Sequence, residues 1–173
     1  MKYLTIALTA LLAAASAYAQ GTVNFATRIT GSVDARVTFD GAPAGSTIWG
    51  QLYSGTAALG NPVPFRDSPA AAQGYITSGG TVEVPGVASG GTASIKLVAW
   101  HSSLGATYAE AVAKGMNGTA ESAAISVTVG GGTLPPGNLV GLAGFNVSSI
   151  VPEPSIAALG ILGAGLLVLR RKK

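Results

Sequence analysis

Apolar and polar residues alternate along several short segments in the middle of the chain. The alternation is unbroken over residues 33–39 and recurs over residues 123–129, and a period of two residues is typical of a strand that buries one face. Glycine, proline, serine and asparagine separate such segments at short intervals, and only residues 107–114, closed by Gly115, have a helical pattern. Further strands are predicted at 22–27, 47–53, 81–84, 92–100 and 139–147. The pattern predicts an all-β fold, a single antiparallel β-sandwich of the immunoglobulin-like or jelly-roll-like kind.

The N-terminal residues have a different pattern, which is typical of an export signal. Lys2 precedes a mostly apolar run over residues 4–15. Ala17 and Ala19 then place small side chains at the two positions that a signal peptidase recognises, and Gln20 follows. We therefore predict a signal peptide over residues 1–19 and a mature chain that begins at Gln20, although an N-terminal core helix is the alternative.

The C-terminal residues form three successive parts. Pro152, Glu153 and Pro154 precede an apolar run over residues 155–169, and the chain ends with the cations Arg170, Arg171, Lys172 and Lys173. As a helix the run spans about 22 Å, which is short for a bilayer core of about 30 Å. The cations favour a cytoplasmic end, and the prolines favour an extended segment before the helix. A simple tail anchor is the alternative interpretation.

This tail resembles the PEP-CTERM sorting signal, with the motif at 152–154, a transmembrane helix at 155–169 and a basic tail at 170–173. The resemblance implies recognition by an exosortase, an integral-membrane cysteine protease, in a Gram-negative bacterium that makes exopolysaccharide. It also implies transient anchoring in the inner membrane. Residues 21–25 and 64–66 further resemble segments of small surface proteins that carry the same tail, a group that implies no activity.

Charge and composition exclude several classes of function for the middle of the chain. The 173 residues include no cysteine and one histidine, so disulfides and thiolate metal sites are excluded. Between residues 20 and 150 there are five basic and six acidic residues, a net charge of −1. The five cations are scattered along the sequence, whereas a nucleic-acid-binding domain clusters them on one face. We expect no nucleic-acid partner, metal or cofactor.

Residues capable of catalysis are few. His101 is the lone histidine, and no Gly-x-Ser-x-Gly motif accompanies it. A general base needs a nucleophile and an orienting carboxylate within reach, so a solvated loop histidine is the favoured interpretation over a small hydrolase. The acidic residues are too scattered for a calcium loop. We therefore expect a non-enzymatic protein with no catalytic residues.

Three aromatic residues offer a possible binding function. Trp49 and Tyr53 alternate with Ile48 and Leu52, and Trp100 shares the parity of polar residues in its own strand. Aromatic rings exposed beside polar groups can stack on sugars. Aromatic residues are only 6% of the chain, so the favoured interpretation is that Trp49, Tyr53 and Trp100 fill a second small core beneath loops.

The sequence as a whole predicts three regions: a signal peptide at 1–19, an exported β-domain at 20–149 and the sorting signal at 150–173. We expect a surface or extracellular-matrix protein that is first anchored in the inner membrane and then released to the cell surface or medium. Signal peptidase and exosortase are the expected partners during export. A carbohydrate-binding module for exopolysaccharide is the alternative function.

Overall fold

The computed structural model describes residues 20–77, 79–115 and 117–149. The predicted signal peptide with Ala17 and Ala19, the Pro-Glu-Pro motif, the apolar run at 155–169 and the basic tail lie outside the described residues. Over the described part the fold is all-β, with a single short α-helix. Its elements are β1 (Gln20–Asn24), β2 (Arg28–Ile29), β3 (Val33–Asp34), β4 (Thr38–Phe39), β5 (Ala42–Pro43), β6 (Ile48–Ser54), β7 (Ala57–Pro64), β8 (Thr81–Ala88), β9 (Thr92–His101), α1 (Tyr108–Ala113), β10 (Thr119–Glu121), β11 (Ile125–Thr128) and β12 (Asn146–Val147).

The largest sheet is antiparallel and is built on the long pair β6 and β9. Their register runs from Ile48 opposite His101 to Ser54 opposite Ile95. β7 pairs with the outer edge of β6, while β10 and β11 pair in succession with the outer edge of β9. The sequence did not predict β7, because Gly60, Asn61 and two prolines resemble a loop. Proline is tolerated there because β7 is an edge strand, where a missing N–H breaks no ladder.

A second antiparallel sheet pairs β1 with β8. Gln20 lies opposite Ala88, but the next residue, Gly21, lies opposite Val84. The register shift places Pro85 and Gly86 (φ +78°) in an irregularity of β8. The predicted strand at 81–84 therefore does not end at these residues but continues beyond them, because a bulge can accommodate a missing N–H and a positive φ.

One hydrophobic core lies between the two sheets. Val23 and Val84 of the smaller sheet and Leu52 and Leu97 of the larger sheet belong to the same buried cluster, and none of these side chains is exposed to solvent. Residues 33–39 also contribute to this core with the alternation that the sequence predicts, as Val33, Ala35 and Val37 are buried.

The segment 33–39 is not one strand, although its burial alternates as in a strand. β3 pairs with β2, and β4 pairs with β5 and, in parallel, with β12. Between them Ala35 N–H donates to Thr27 and Val37 N–H donates to Gly74. The chain is extended but changes its hydrogen-bonding partner at each step, which divides the predicted strand. The predicted strand at 139–147 is likewise reduced to β12.

Local signals for the turn and the helix are confirmed. Asp40 and Gly41 have φ values of +49° and +82°, as a two-residue hairpin turn with both central φ angles positive requires, and they join β4 to β5. Thr107 caps α1 by accepting a hydrogen bond from the Glu110 N–H. Among the described residues no helix is long and apolar enough to cross a membrane.

Candidate functional site

The three aromatic residues predicted from the sequence come together on one face of the large sheet. Trp49 and Trp100 lie directly opposite each other on β6 and β9, with ring centroids 6.3 Å apart in an edge-to-face arrangement. Tyr108 of α1 lies 5.9 Å from the Trp100 ring and 5.8 Å from the Tyr53 ring. Edge-to-face pairs of this kind stabilise a packed cluster.

The burial of Trp100 corrects the hypothesis that it stacks on a sugar. Its side chain is 0% exposed, and its indole Nε1 donates to the Gly105 carbonyl at 3.0 Å. Val98, Leu104 and Ala111 are the other buried residues of this second small core. Trp49 and Tyr53 pack on the edge of the same cluster and are only partly buried. The arrangement is the small core beneath loops that the sequence favoured.

Tyr108 closes this core as a neutral side chain. Burial raises the pKa of its phenol, and the negative charge of Glu121 raises it further. Glu121 itself pairs with Lys96 at 2.6 Å. Lys96 and Glu121 therefore form an ion pair at the rim of the aromatic core.

His101 lies at the end of β9, where it caps a short 3-10 helix over Ser102–Leu104. Its Nδ1 accepts a hydrogen bond from the Ser103 N–H at 3.2 Å and lies 2.8 Å from the Ser103 Oγ. The ring also lies 5.7 Å from that of Phe39. These contacts give His101 a local structural role. In the three described segments no group of three histidine, cysteine, aspartate or glutamate side chains could hold a metal ion.

A polar cluster surrounds Tyr75, and no pattern in the sequence predicts it. The guanidinium groups of Arg28 and Arg36 lie 5.0 and 5.5 Å from the centroid of the Tyr75 ring. Tyr75 is 7% exposed, and its hydroxyl donates to Asp34 Oδ1 at 2.5 Å. That hydrogen bond, together with burial, raises the pKa of Tyr75. Tyrosine, aspartate and two arginines therefore form one connected group.

Both arginines also fix the chain segment just before Tyr75. Arg28 Nη1 donates to the Ala71 carbonyl. Arg36 donates from Nε to the Gln73 carbonyl at 2.9 Å and from Nη2 to the Ala70 carbonyl at 3.2 Å. Since main-chain acceptors and an aromatic face hold them, the two guanidinium groups have defined positions on the surface.

An open cleft of about 580 Å³ borders this cluster. It is lined by Asp34, Arg36, Thr38, Tyr75, Gly144, Phe145 and Asn146, and its size falls within the range of small-ligand sites. The parallel pairing of β12 with β4 brings residues 144–146 beside residues 34–38. The sequence could not show this arrangement, because the lining comes from three segments that are far apart along the chain.

The chain matches no protein-family model, no curated protein and no solved structure.

Of the sorting residues predicted from the sequence, only Gln20 lies within the described part. It is the first residue of β1, lies opposite Ala88 and is exposed. The next residue, Gly21, is buried, and a Cβ there would overlap the Val129 side chain. The folded β-domain therefore extends to the residue at which the predicted mature chain begins.

Proposed function

We propose that this chain is an exported, non-enzymatic protein of the cell surface or extracellular matrix, sorted through a PEP-CTERM signal that an exosortase processes. The observation that carries the proposal is the three-part C-terminus, in which Pro152, Glu153 and Pro154, an apolar run and four cations follow one another in order. The predicted signal peptide at the other end is consistent with the same route. The protein is then anchored briefly in the inner membrane before it reaches the surface or the medium.

The described β-domain supports the proposal in two ways. β1 includes Gln20, so the residue at which the predicted mature chain begins belongs to the β-domain. Two sheets share one core without any disulfide, which suits our proposal of a single β-sandwich as the exported unit. The lone histidine is engaged with Ser103 as a cap, which favours a structural role over catalysis.

Carbohydrate binding through the aromatic face is the weaker alternative. The burial of Trp100 leaves only Trp49 and Tyr53 for a sugar, and both pack against the second core. That face would offer a sugar only the outer edges of two rings.

The intact mass of the protein from its native cells tests the sorting proposal. The expected species begins at Gln20 and ends near Glu153 or Pro154, and it is found at the surface or in the medium. A species that runs through Lys173 and stays in the membrane fraction would refute exosortase processing and leave a permanent tail anchor.

A pair of matched variants tests whether the exosortase recognises the Pro-Glu-Pro motif. Glu153→Gln removes the one carboxylate of the Pro-Glu-Pro motif and is expected to leave the chain uncleaved in the membrane. Glu83→Gln makes the same chemical change at an exposed position of β8 and is expected to be processed normally. Equal processing of the two variants would show that the carboxylate of the motif is not recognised.

A further inference from the structure

The fold gathers the three arginines of the β-domain around one segment. Arg28 and Arg36 contact Tyr75, and Arg66 bonds to Thr77 Oγ1 at 2.8 Å just beyond it. Across residues 20–77, 79–115 and 117–149 none of the three forms an ion pair with a carboxylate within 4 Å, whereas Lys96 pairs with Glu121. A domain with a negative net charge thus presents a local group of three arginines, with the Asp34 carboxylate bonded to Tyr75 beside them.

The guanidinium groups of Arg28 and Arg36 retain unused hydrogen-bond donors. Each guanidinium has five N–H donors. The bonds to main-chain carbonyls described above engage one donor of Arg28 and two of Arg36. Both side chains are exposed. Their positions are already fixed, so an anion that binds them loses little side-chain entropy, and a planar carboxylate matches the fork of a guanidinium.

The rest of the cleft has groups that suit sugar hydroxyls. Asp34 is exposed, and its Oδ1 accepts from Tyr75; its Oδ2 has no hydrogen bond within the described segments. Asn146 Oδ1 accepts from Thr38 Oγ1 and from Gly41 N–H, both at 2.9 Å, which leaves its Nδ2 as a donor. The Asp34 carboxylate repels a uronate as well as a phosphodiester, but it can accept from ring hydroxyls, which an acidic sugar carries and a DNA backbone lacks. The chemistry favours an acidic sugar over a nucleic acid.

We propose that the cleft beside Tyr75 binds a carboxylate-bearing polysaccharide, with Arg36 of its lining holding the uronate carboxylate and Asp34 and Asn146 contacting ring hydroxyls. Arg28 lies against the Tyr75 ring outside this lining and adds positive charge beside the cleft. The cleft is open, so a polymer can cross it without a free end. The inference rests on the proposed function in one respect: export brings the protein to the compartment in which it would meet such a polymer. It assigns binding to a different face from Trp49 and Tyr53.

Binding by the unaltered protein is the first test. Full-length protein, taken from whichever cell fraction contains it, is titrated with polygalacturonate, with highly methyl-esterified polygalacturonate and with neutral dextran. Binding is expected for polygalacturonate alone and should weaken as salt is added. Equal binding of the esterified polymer, or no binding of polygalacturonate, would overturn the proposal. Duplex DNA serves as the competing anion, and tighter binding to DNA would also overturn it.

Variants then locate the site. Arg36→Gln is expected to weaken polygalacturonate binding about tenfold, since a hydrogen bond to a charged group is lost with the charge. Arg28→Gln removes a charge beside the cleft and is expected to weaken binding by less than Arg36→Gln. Lys114→Gln removes one exposed cation elsewhere and is expected to bind as the wild type does; an equal loss would show a non-specific charge effect and refute the site. Arg36→Lys keeps the charge but loses the fork, so intermediate binding is expected.

Two controls separate the possible failures. Far-ultraviolet circular dichroism of each variant shows whether loss of the Ala70–Gln73 contacts unfolds the domain, and the esterified polymer tests the carboxylate on wild-type protein without any substitution. Sorting is measured separately by intact mass. A protein that is cleaved but does not bind polygalacturonate refutes the cleft, whereas one that binds but is not cleaved refutes the exosortase proposal.

Discussion

Replacing Trp100 with alanine distinguishes a core residue from a ligand-binding residue. The side chain is 0% exposed, packs edge-to-face against Trp49 and donates to the Gly105 carbonyl. Truncating a buried tryptophan typically costs about 3–5 kcal/mol, and here the cavity also leaves a carbonyl without its donor. Because a domain of this size is stable by about 5–15 kcal/mol, Trp100→Ala should remove a large share of its stability.

The matched variant is Trp49→Ala on the opposite strand. Trp49 is only partly buried at the edge of the same cluster, so its truncation should cost at least about 1 kcal/mol less than that of Trp100. Urea unfolding followed by circular dichroism measures both values, provided that the transition is two-state. At about 3–5 °C per kcal/mol for a domain of this size, the melting temperature of Trp100→Ala should fall by about 10–20 °C.

Two outcomes would bear directly on the role of Trp100 in the second core. If Trp100→Ala unfolds at the wild-type urea concentration, the ring contributes nothing to the core. If Trp100→Ala keeps the wild-type urea midpoint but is no longer retained on an exopolysaccharide column, the glycan-stacking hypothesis for Trp100 is restored. A large loss of stability in Trp100→Ala, with a smaller loss in Trp49→Ala, supports the second core.

Three further predictions follow from single contacts. Gly144→Ala should lower the free energy of unfolding by about 2–3 kcal/mol, measured from the urea midpoint, because a Cβ there would overlap the Arg36 carbonyl oxygen. The hydrogen bond to Asp34 raises the pKa of Tyr75 above its ordinary value, so the stabilisation by this hydrogen bond is present below about pH 10 and is lost as the pH rises through the folded-state pKa. Thermal melts over the alkaline range should therefore show a smaller loss of stability for Tyr75→Phe than for the wild type. Thr107→Ala should cost about 1 kcal/mol in urea unfolding, because it removes the cap of α1.

Each of these predictions has its own control. Ala143→Ser changes the exposed neighbour of Gly144 and should leave the free energy of unfolding within about 0.5 kcal/mol of wild type. An equal loss of stability in Ala143→Ser and Gly144→Ala would show that overlap with the Arg36 carbonyl is not the cause. An unchanged alkaline profile in Tyr75→Phe would contradict the role of the Asp34 hydrogen bond. Thr107→Ser keeps a capping hydroxyl and should restore most of the loss, and its failure to do so would assign the cost to another contact.

Local signals in the sequence were sufficient for the strands β6, β9 and β11. Each coincides closely with a predicted strand, because a strand that buries one face places apolar side chains at every second position. Asp40–Gly41 and the Thr107 cap are equally local, since each depends on the conformation of a few adjacent residues. The prediction missed the short strands β2, β5 and β10 and the edge strand β7, and it ended β8 too early, where proline and glycine lie in a bulge. It also gave single strands at 33–39 and 139–147, which the fold divides or shortens.

The sequence by itself determined the all-β class, because strand periodicity depends on adjacent residues, and it is also the sole basis of the proposed route of export. Only the tertiary structure decided which aromatic rings are buried, since α1 and a 3-10 helix cover one face of β9 and enclose Trp100. It also brought Arg28 and Arg36 to Tyr75, from positions far apart in the chain. Pairings of this kind depend on long-range register between strands, and no local pattern of residues encodes them.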